Sequence, residues 1–273
     1  MHPVIEHLLA RKNQPYPADD GRKIALVHLG GLMTGVRGAG ALLALEELGL
    51  KDAFDSIYGT SAGFANTCFF LTGNMRLGAS IYYEDLCTSD FINLKRVWDI
   101  VDVDYVLSIL RGTKKLSYDK ITGHHTDLYA RLFNLMTKST EYKKVNDLPP
   151  EEVERVMHAA ISLPYLDPGS VDIENIEYMD ADARRGRAEF EKLVDDILQT
   201  DATDILVIYN FHEQFEHLYE AGLMDSERLY QIVPYAENKL SKISNDPQKL
   251  KAAAEEMGTL VKSIFGSDEP LKL

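Results

Sequence analysis

The stretch DSIYGTSAGFAN, Asp55 to Asn66, constrains the fold of this chain more than any other. An apolar strand, Phe54–Tyr58, runs into Gly59-Thr60-Ser61-Ala62-Gly63, and an apolar helix, Ala62–Leu71, leaves it. Small residues on both sides of a serine at such a junction let the chain turn tightly and expose the hydroxyl at the tip of the strand. The helix that follows directs its free N–H groups and positive dipole end at the same point, where negative charge is stabilised. The competing explanation is that Thr60 and Ser61 are ordinary helix caps.

The surrounding pattern repeats the strand-to-helix alternation. KIALVHL, Lys23–Leu29, is a short apolar run bounded by turn signals, as in a strand buried on both faces. AGALLALEELGL carries apolar residues at helical spacing and ends at Gly49, a favourable residue just beyond a helix. Strand–helix–strand–helix predicts an α/β fold, a mostly parallel sheet between helical layers. Further on, residues 80–110 mix short helices with loops around Trp98, the only tryptophan, and residues 127–145 read as two strands about a polar turn. PPEEVERVMHAAIS and AEFEKLVDDILQT read as helices, IEYMDADA as a strand and its exit, and TDILVIYNF as the strongest strand in the chain. With no repeat or linker-like tract, residues 1–273 are expected to form one domain with a helical C-terminal portion from about residue 213.

A net charge of −14 makes nucleic acid an unfavourable partner and opposes electrostatic docking on anionic membranes. No window holds 18 apolar residues, so no transmembrane segment is expected, and nothing resembles a secretory signal. Cys68 and Cys87 are too few for a disulfide framework, and no Cys/His cluster has metal-ligand spacing. The expectation is a cytoplasmic protein without metal or cofactor.

A serine nucleophile needs a base. His212 and His217 lie in a charged helical stretch and His158 lies inside a helix, so no histidine has a convincing context. A shielded carboxylate can do the same work. Asp180, after the apolar run IEYM, occupies the end of a strand, where open α/β sheets place their sites, and Asp182 is its rival.

These pieces, in this order, resemble the patatin-like phospholipase family. IALVHLGG, AGALLALEELGL, FDSIYGTSAG, IYYEDL, AAISLPYL, TDILVI, YQIVP and LKAAAEEMG match its bacterial branch in order and spacing, least well between about residues 95 and 150. The resemblance implies a patatin-like three-layer α/β/α fold and a Ser61–Asp180 dyad without histidine. It also implies an oxyanion loop within LGGLMTGVRGAG, with Gly30, Gly31, Leu32 and Met33 as the candidate hole. Aligned without gaps, Leu32 and Thr34 replace the third Gly and the Arg of the family's Gly-Gly-Gly-x-Arg-Gly. Asp180-Ala181-Asp182 replaces Asp-Gly-Gly or Asp-Gly-Ala, adding a second acid that shares a face with the first if the segment stays extended.

The implied activity is carboxylic ester hydrolysis on lipid acyl substrates through an acyl-enzyme, with transient membrane contact allowed. The same residues serve an acyltransferase, and the altered loop and Asp motif suit a catalytically weak binding or regulatory member. Neither substrate head group nor oligomeric state is fixed by the sequence.

Overall fold

A computed structural model describes residues 1–14, 16, 18–96, 100–163, 169–183 and 186–273; Trp98 and the end of AAISLPYL lie outside them. Helix α1 (Pro3–Ala10) is capped by His2, whose ring accepts the Val4 N–H, and strand β1 (Ile24–His28) is buried throughout. Then follow α2 (Gly35–Glu47), β2 (Ser56–Thr60), α3 (Ala62–Leu71), α4 (Met75–Ser80) and α5 (Val103–Arg111). A hairpin, β3 (Asp127–Asn134) and β4 (Ser139–Lys144), precedes α6 (Pro150–Ile161), which begins on a proline as the sequence predicts. A second hairpin, β5 (Val171–Ile173) and β6 (Ile176–Asp180), leads to α7 (Arg187–Leu198) and β7 (Asp204–Ile208). The chain closes with α8 (His212–Glu220), β8 (Leu229–Ile232) and α9 (Pro247–Ile264). Strand β8 falls inside the stretch read as helical and pairs in parallel with β7.

The sheet is mostly parallel: β3, β2, β1, β7 and β8 run the same way, while β4 and β6 pair antiparallel with β3, and β5 antiparallel with β6. Alternate side chains of a strand face opposite layers. Ile24 and Leu26 accordingly enter the core shared with α2, α3, α6 and α9, while Ala25 and Val27 pack with Leu193, Val194 and Ile197 of α7 and Leu218 of α8. The result is the expected three-layer α/β/α arrangement. Helices α2 and α9 touch at Gly40, where a Cβ would come within 2.1 Å of the Ala254 carbonyl oxygen.

The register of β3 fixes where chain ends meet. A strand has two hydrogen-bonding edges. One edge of β3 carries β4, from Tyr129 to Asn134, so β2 and β6 must share the other. Strand β2 uses it up to the pair Thr60–Arg131, and β6 takes over at the next residue with the pair Asp180–Leu132. The last residue of β6 therefore abuts the last residue of β2. Asp180 does end a strand, as the sequence suggests, but it arrives from the antiparallel direction.

At the opposite end of the sheet the guanidinium of Arg11, its side chain 3% exposed, clasps the entry to β2. It donates to both Asp20 oxygens at 2.8 Å, to Asp55 at 2.6 Å, and to the Ala53 and Arg22 carbonyls. Arg11→Met removes this shared donor, leaving Asp20 the Arg22 N–H and Asp55 the Ile24 N–H. It is expected to lower unfolding free energy in urea by about 3 kcal/mol, the low end for breaking a buried pair, because both carboxylates stay partly in water. The Arg11 hydrogen bonds, more than any other cause, hold the Asp20 carboxyl down to about 2 from 3.8. The clasp is thus complete above pH 4 and is lost as pH falls towards 2.

Candidate active site

Ser61 sits at the junction of β2 and α3 with φ 54° and ψ −131°, a conformation that L-residues rarely adopt and that costs on the order of 1–3 kcal/mol. The strain is held by close packing on both sides. A Cβ on Gly59 would lie 2.5 Å from Phe64 Cα, and one on Gly63 would lie 2.4 Å from the His28 carbonyl oxygen. Both glycines of Gly-x-Ser-x-Gly are therefore required sterically, which a pair of helix caps would not need. Ser61 itself makes no side-chain capping bond to α3. Ala62 opens α3, so its N–H has no acceptor within the helix. It is a further candidate oxyanion donor, one of the free N–H groups expected at the start of this helix.

Asp180 is fully buried beside this turn. Its Oδ1 accepts the Asp182 N–H at 2.8 Å, and its Oδ2 has no partner among the described residues. The Ser61 hydroxyl comes close enough to favour the anion without closing a normal hydrogen bond to Oδ2. Burial first, and the charge of Asp182 second, push the Asp180 carboxyl well above its ordinary range, against the opposing pull of Ser61, the Asp182 N–H and Arg131. Asp182 is placed against the loop: a Cβ on Gly30 would lie 2.3 Å from its Oδ2 and 2.8 Å from Ser61 Cβ. The two acids thus do face the same site.

The loop after β1 leads directly into α2. Gly35 to Gly38 form the first turn of α2, and Arg37 is turned away, donating to the carbonyls of Asn210 and Asn238. Leu32 holds φ at 50° despite its Cβ, so the backbone shape that glycine permits is retained at a cost of about 1–2 kcal/mol. Carbonyl groups of the loop are pinned from outside. Asn210 Nδ2 donates to Leu29 at 2.5 Å and to Gly30 at 3.0 Å, Gln214 also donates to Gly30, and Thr34 donates to Gly31 through both N–H and hydroxyl. Because a trans peptide points C=O and N–H in opposite directions, these bonds turn the N–H groups of Gly30, Gly31 and Leu32 the other way. Among the described residues none of the three takes part in backbone pairing outside the helices and strands. Met33 must be removed from the candidate donors, since its N–H donates to Lys242 O at 3.2 Å.

Asn210 also accepts the Gly38 N–H, and a Cβ on Gly31 would come within 3.0 Å of Asn210 Cβ. Asn66 bridges Gly35 O, His28 Nε2 and the Tyr82 hydroxyl in the same buried layer. His28 is neutral there, its ring pushed down to about 3 mainly by burial. No sequence pattern singles out Asn66, Tyr82, Asn210 or Gln214; only Asn210, following the end of β7, lies where α/β sheets gather site residues. Of the histidines weighed as bases, His212 meets Pro234 O and Glu216, and His217 stacks on Phe190.

Ser61 lies in the wall of an apolar cavity with about 650 Å³ of space not filled by atoms, mouth included. Leu32, Phe69, Phe91, Val103, Leu110 and Leu163 also line it.

A family model described as patatin-like phospholipase matches residues 26–185, which include Ser61, Asp180 and the whole loop. Among solved structures, VipD from Legionella pneumophila aligns with TM-score 0.45 and 11% identity, covering 89% of this chain and 67% of that one. No curated protein matches the sequence. The chain belongs to the patatin-like phospholipase family, whose members are lipid acyl hydrolases.

Proposed function

We infer that residues 1–273 act as one domain that hydrolyses carboxylic esters of apolar acyl chains, using a Ser61–Asp180 dyad and an acyl-enzyme. The observation that carries this is the shared edge of β3, which brings the end of β6 against the end of β2. The apolar cavity reaching Ser61 supports an acyl chain as the group bound there. Among the described residues no helix is long and apolar enough to cross a membrane, so a membrane lipid would be met by transient contact. A cytoplasmic location belongs to the same proposal.

In the first step Ser61 Oγ attacks the ester carbonyl carbon while its proton passes to the Asp180 carboxylate. The oxygen that becomes negative is received by N–H groups of Gly30, Gly31, Leu32 and Ala62. Asp180 returns the proton to the departing alcohol. Water then attacks the acyl-enzyme with Asp180 again as base, releasing the acid and restoring Ser61.

Three measurements test this. On a p-nitrophenyl ester, Ser61→Ala and Asp180→Asn are each expected to lower kcat/KM by at least about 10³-fold. Retention of wild-type rate by either variant would remove that residue from the mechanism. Asp180 works as the anion, and Asp182 helps hold its carboxyl up, so the acid limb of the rate profile should lie above pH 3.8. Asp182→Asn removes the like charge and should move that limb to lower pH; an unmoved or raised limb would contradict the pairing. Asn210→Ala frees the Leu29 carbonyl and leaves Gly30 only its Gln214 bond, and kcat is expected to fall at least about tenfold, towards the roughly 10²–10³-fold loss of one oxyanion donor, with KM little changed. A rise in KM alone would assign Asn210 to substrate binding instead.

A further inference from the structure

The end of the sheet opposite Ser61 gathers a second set of chemical groups. Asp52 lies in the turn that enters β2, and His124 and His125 lie in the turn that enters β3. Strands β2 and β3 are parallel neighbours, with Ser56 opposite Asp127, so both turns open at the same edge of the sheet. They are already stitched together: Thr126 Oγ1 donates to Phe54 O at 3.0 Å, and the Asp127 N–H donates to Asp55 O at 3.0 Å. One ligand atom from each of Asp52, His124 and His125 falls within 4.8 Å of the other two.

The side chains are held in this arrangement individually. The Thr126 N–H occupies His124 Nδ1 at 3.1 Å, leaving Nε2 as the ligand atom of that ring. Asn146 Nδ2 holds the His124 carbonyl, and Gly123 gives the turn its left-handed residue at φ 70°. The His125 ring stacks on Tyr16 with centroids 4.1 Å apart, and its Nε2 is 3.8 Å from Asp52 Oδ1. The side chains of His125 and Asp52 are 36% and 44% exposed, so an ion can enter from solvent without opening the fold. The Asp52 carboxylate already draws one cation, the Lys51 ammonium.

We propose that Asp52, His124 and His125 form a binding site for a divalent transition metal of the zinc class, which clasps the two turns entering β2 and β3. Two imidazole nitrogens and one carboxylate oxygen are a recurrent zinc donor set, with water as fourth ligand. Bonds of about 2.0–2.2 Å require the three groups to draw together by roughly an ångström, within the freedom of the exposed Asp52 and His125 side chains against the half-buried His124. The Lys51 ammonium competes for the same carboxylate. The site lies beyond the strand ends away from Ser61 and does not depend on the ester chemistry.

The test is calorimetric titration of the full, tag-free chain with Zn²⁺ alone, with Co²⁺ absorption reporting coordination geometry. One saturable equivalent is expected, weakened at least about tenfold by His125→Ala or Asp52→Asn and undiminished or tightened by Lys51→Met. Circular dichroism establishes that each variant is folded, and ester hydrolysis should be unchanged in all of them. Absence of saturable binding in the wild type overturns the site, as does binding that persists unchanged in the folded His124→Ala/His125→Ala double variant.

Discussion

Everything proposed for Ser61 depends on one property of a β-strand, that it has two edges and no more. Because β4 occupies one edge of β3, the other is divided between β2 and β6, and the division falls between Arg131 and Leu132. Two chain ends separated by 120 positions are thereby butted together with the precision of backbone hydrogen bonding. A loop-borne carboxylate would lack that precision. The strained turn at Ser61 is affordable because Gly59 and Gly63 let α3 and β1 close around it.

The loop between β1 and α2 shows how a strained backbone shape can be held in place. Leu32 carries a Cβ, and it still adopts a left-handed conformation. Its cost is met by a dense set of hydrogen bonds on the carbonyl side of the loop, from Asn210, Gln214 and Thr34. The donors face the other way. Leu32 in turn gains apolar contact, since it lines the same cavity as Ser61.

Much of this was legible from the residues. The alternation of apolar runs and helical stripes gave the layers, and the small residues around Ser61 gave the elbow, because both follow from local sterics. Asp180 was found at a strand end, but the antiparallel course of β6 was not, since direction is set by pairing across the sheet rather than by local pattern. Met33 was counted as an oxyanion donor because nothing local reveals that its N–H is taken by Lys242, more than two hundred residues away. Asn210 and Gln214 escaped notice for the same reason. Asp52 and the adjacent pair His124-His125 show no metal-ligand spacing along the chain; parallel pairing of β2 with β3 brings them together.

Asp180 and Asp182 set the electrostatic character of the site: a buried carboxyl with one oxygen unpartnered among the described residues, and a second acid against the loop. Such a pair favours a proton-transfer group that titrates well above an exposed aspartate. The central claim is that Ser61 is the nucleophile at this junction. It is tested most directly by treating the wild-type chain with a fluorophosphonate and mapping the adduct by peptide mass spectrometry. A single adduct on Ser61 is the predicted result; no adduct, or one carried by a different residue, would contradict the account.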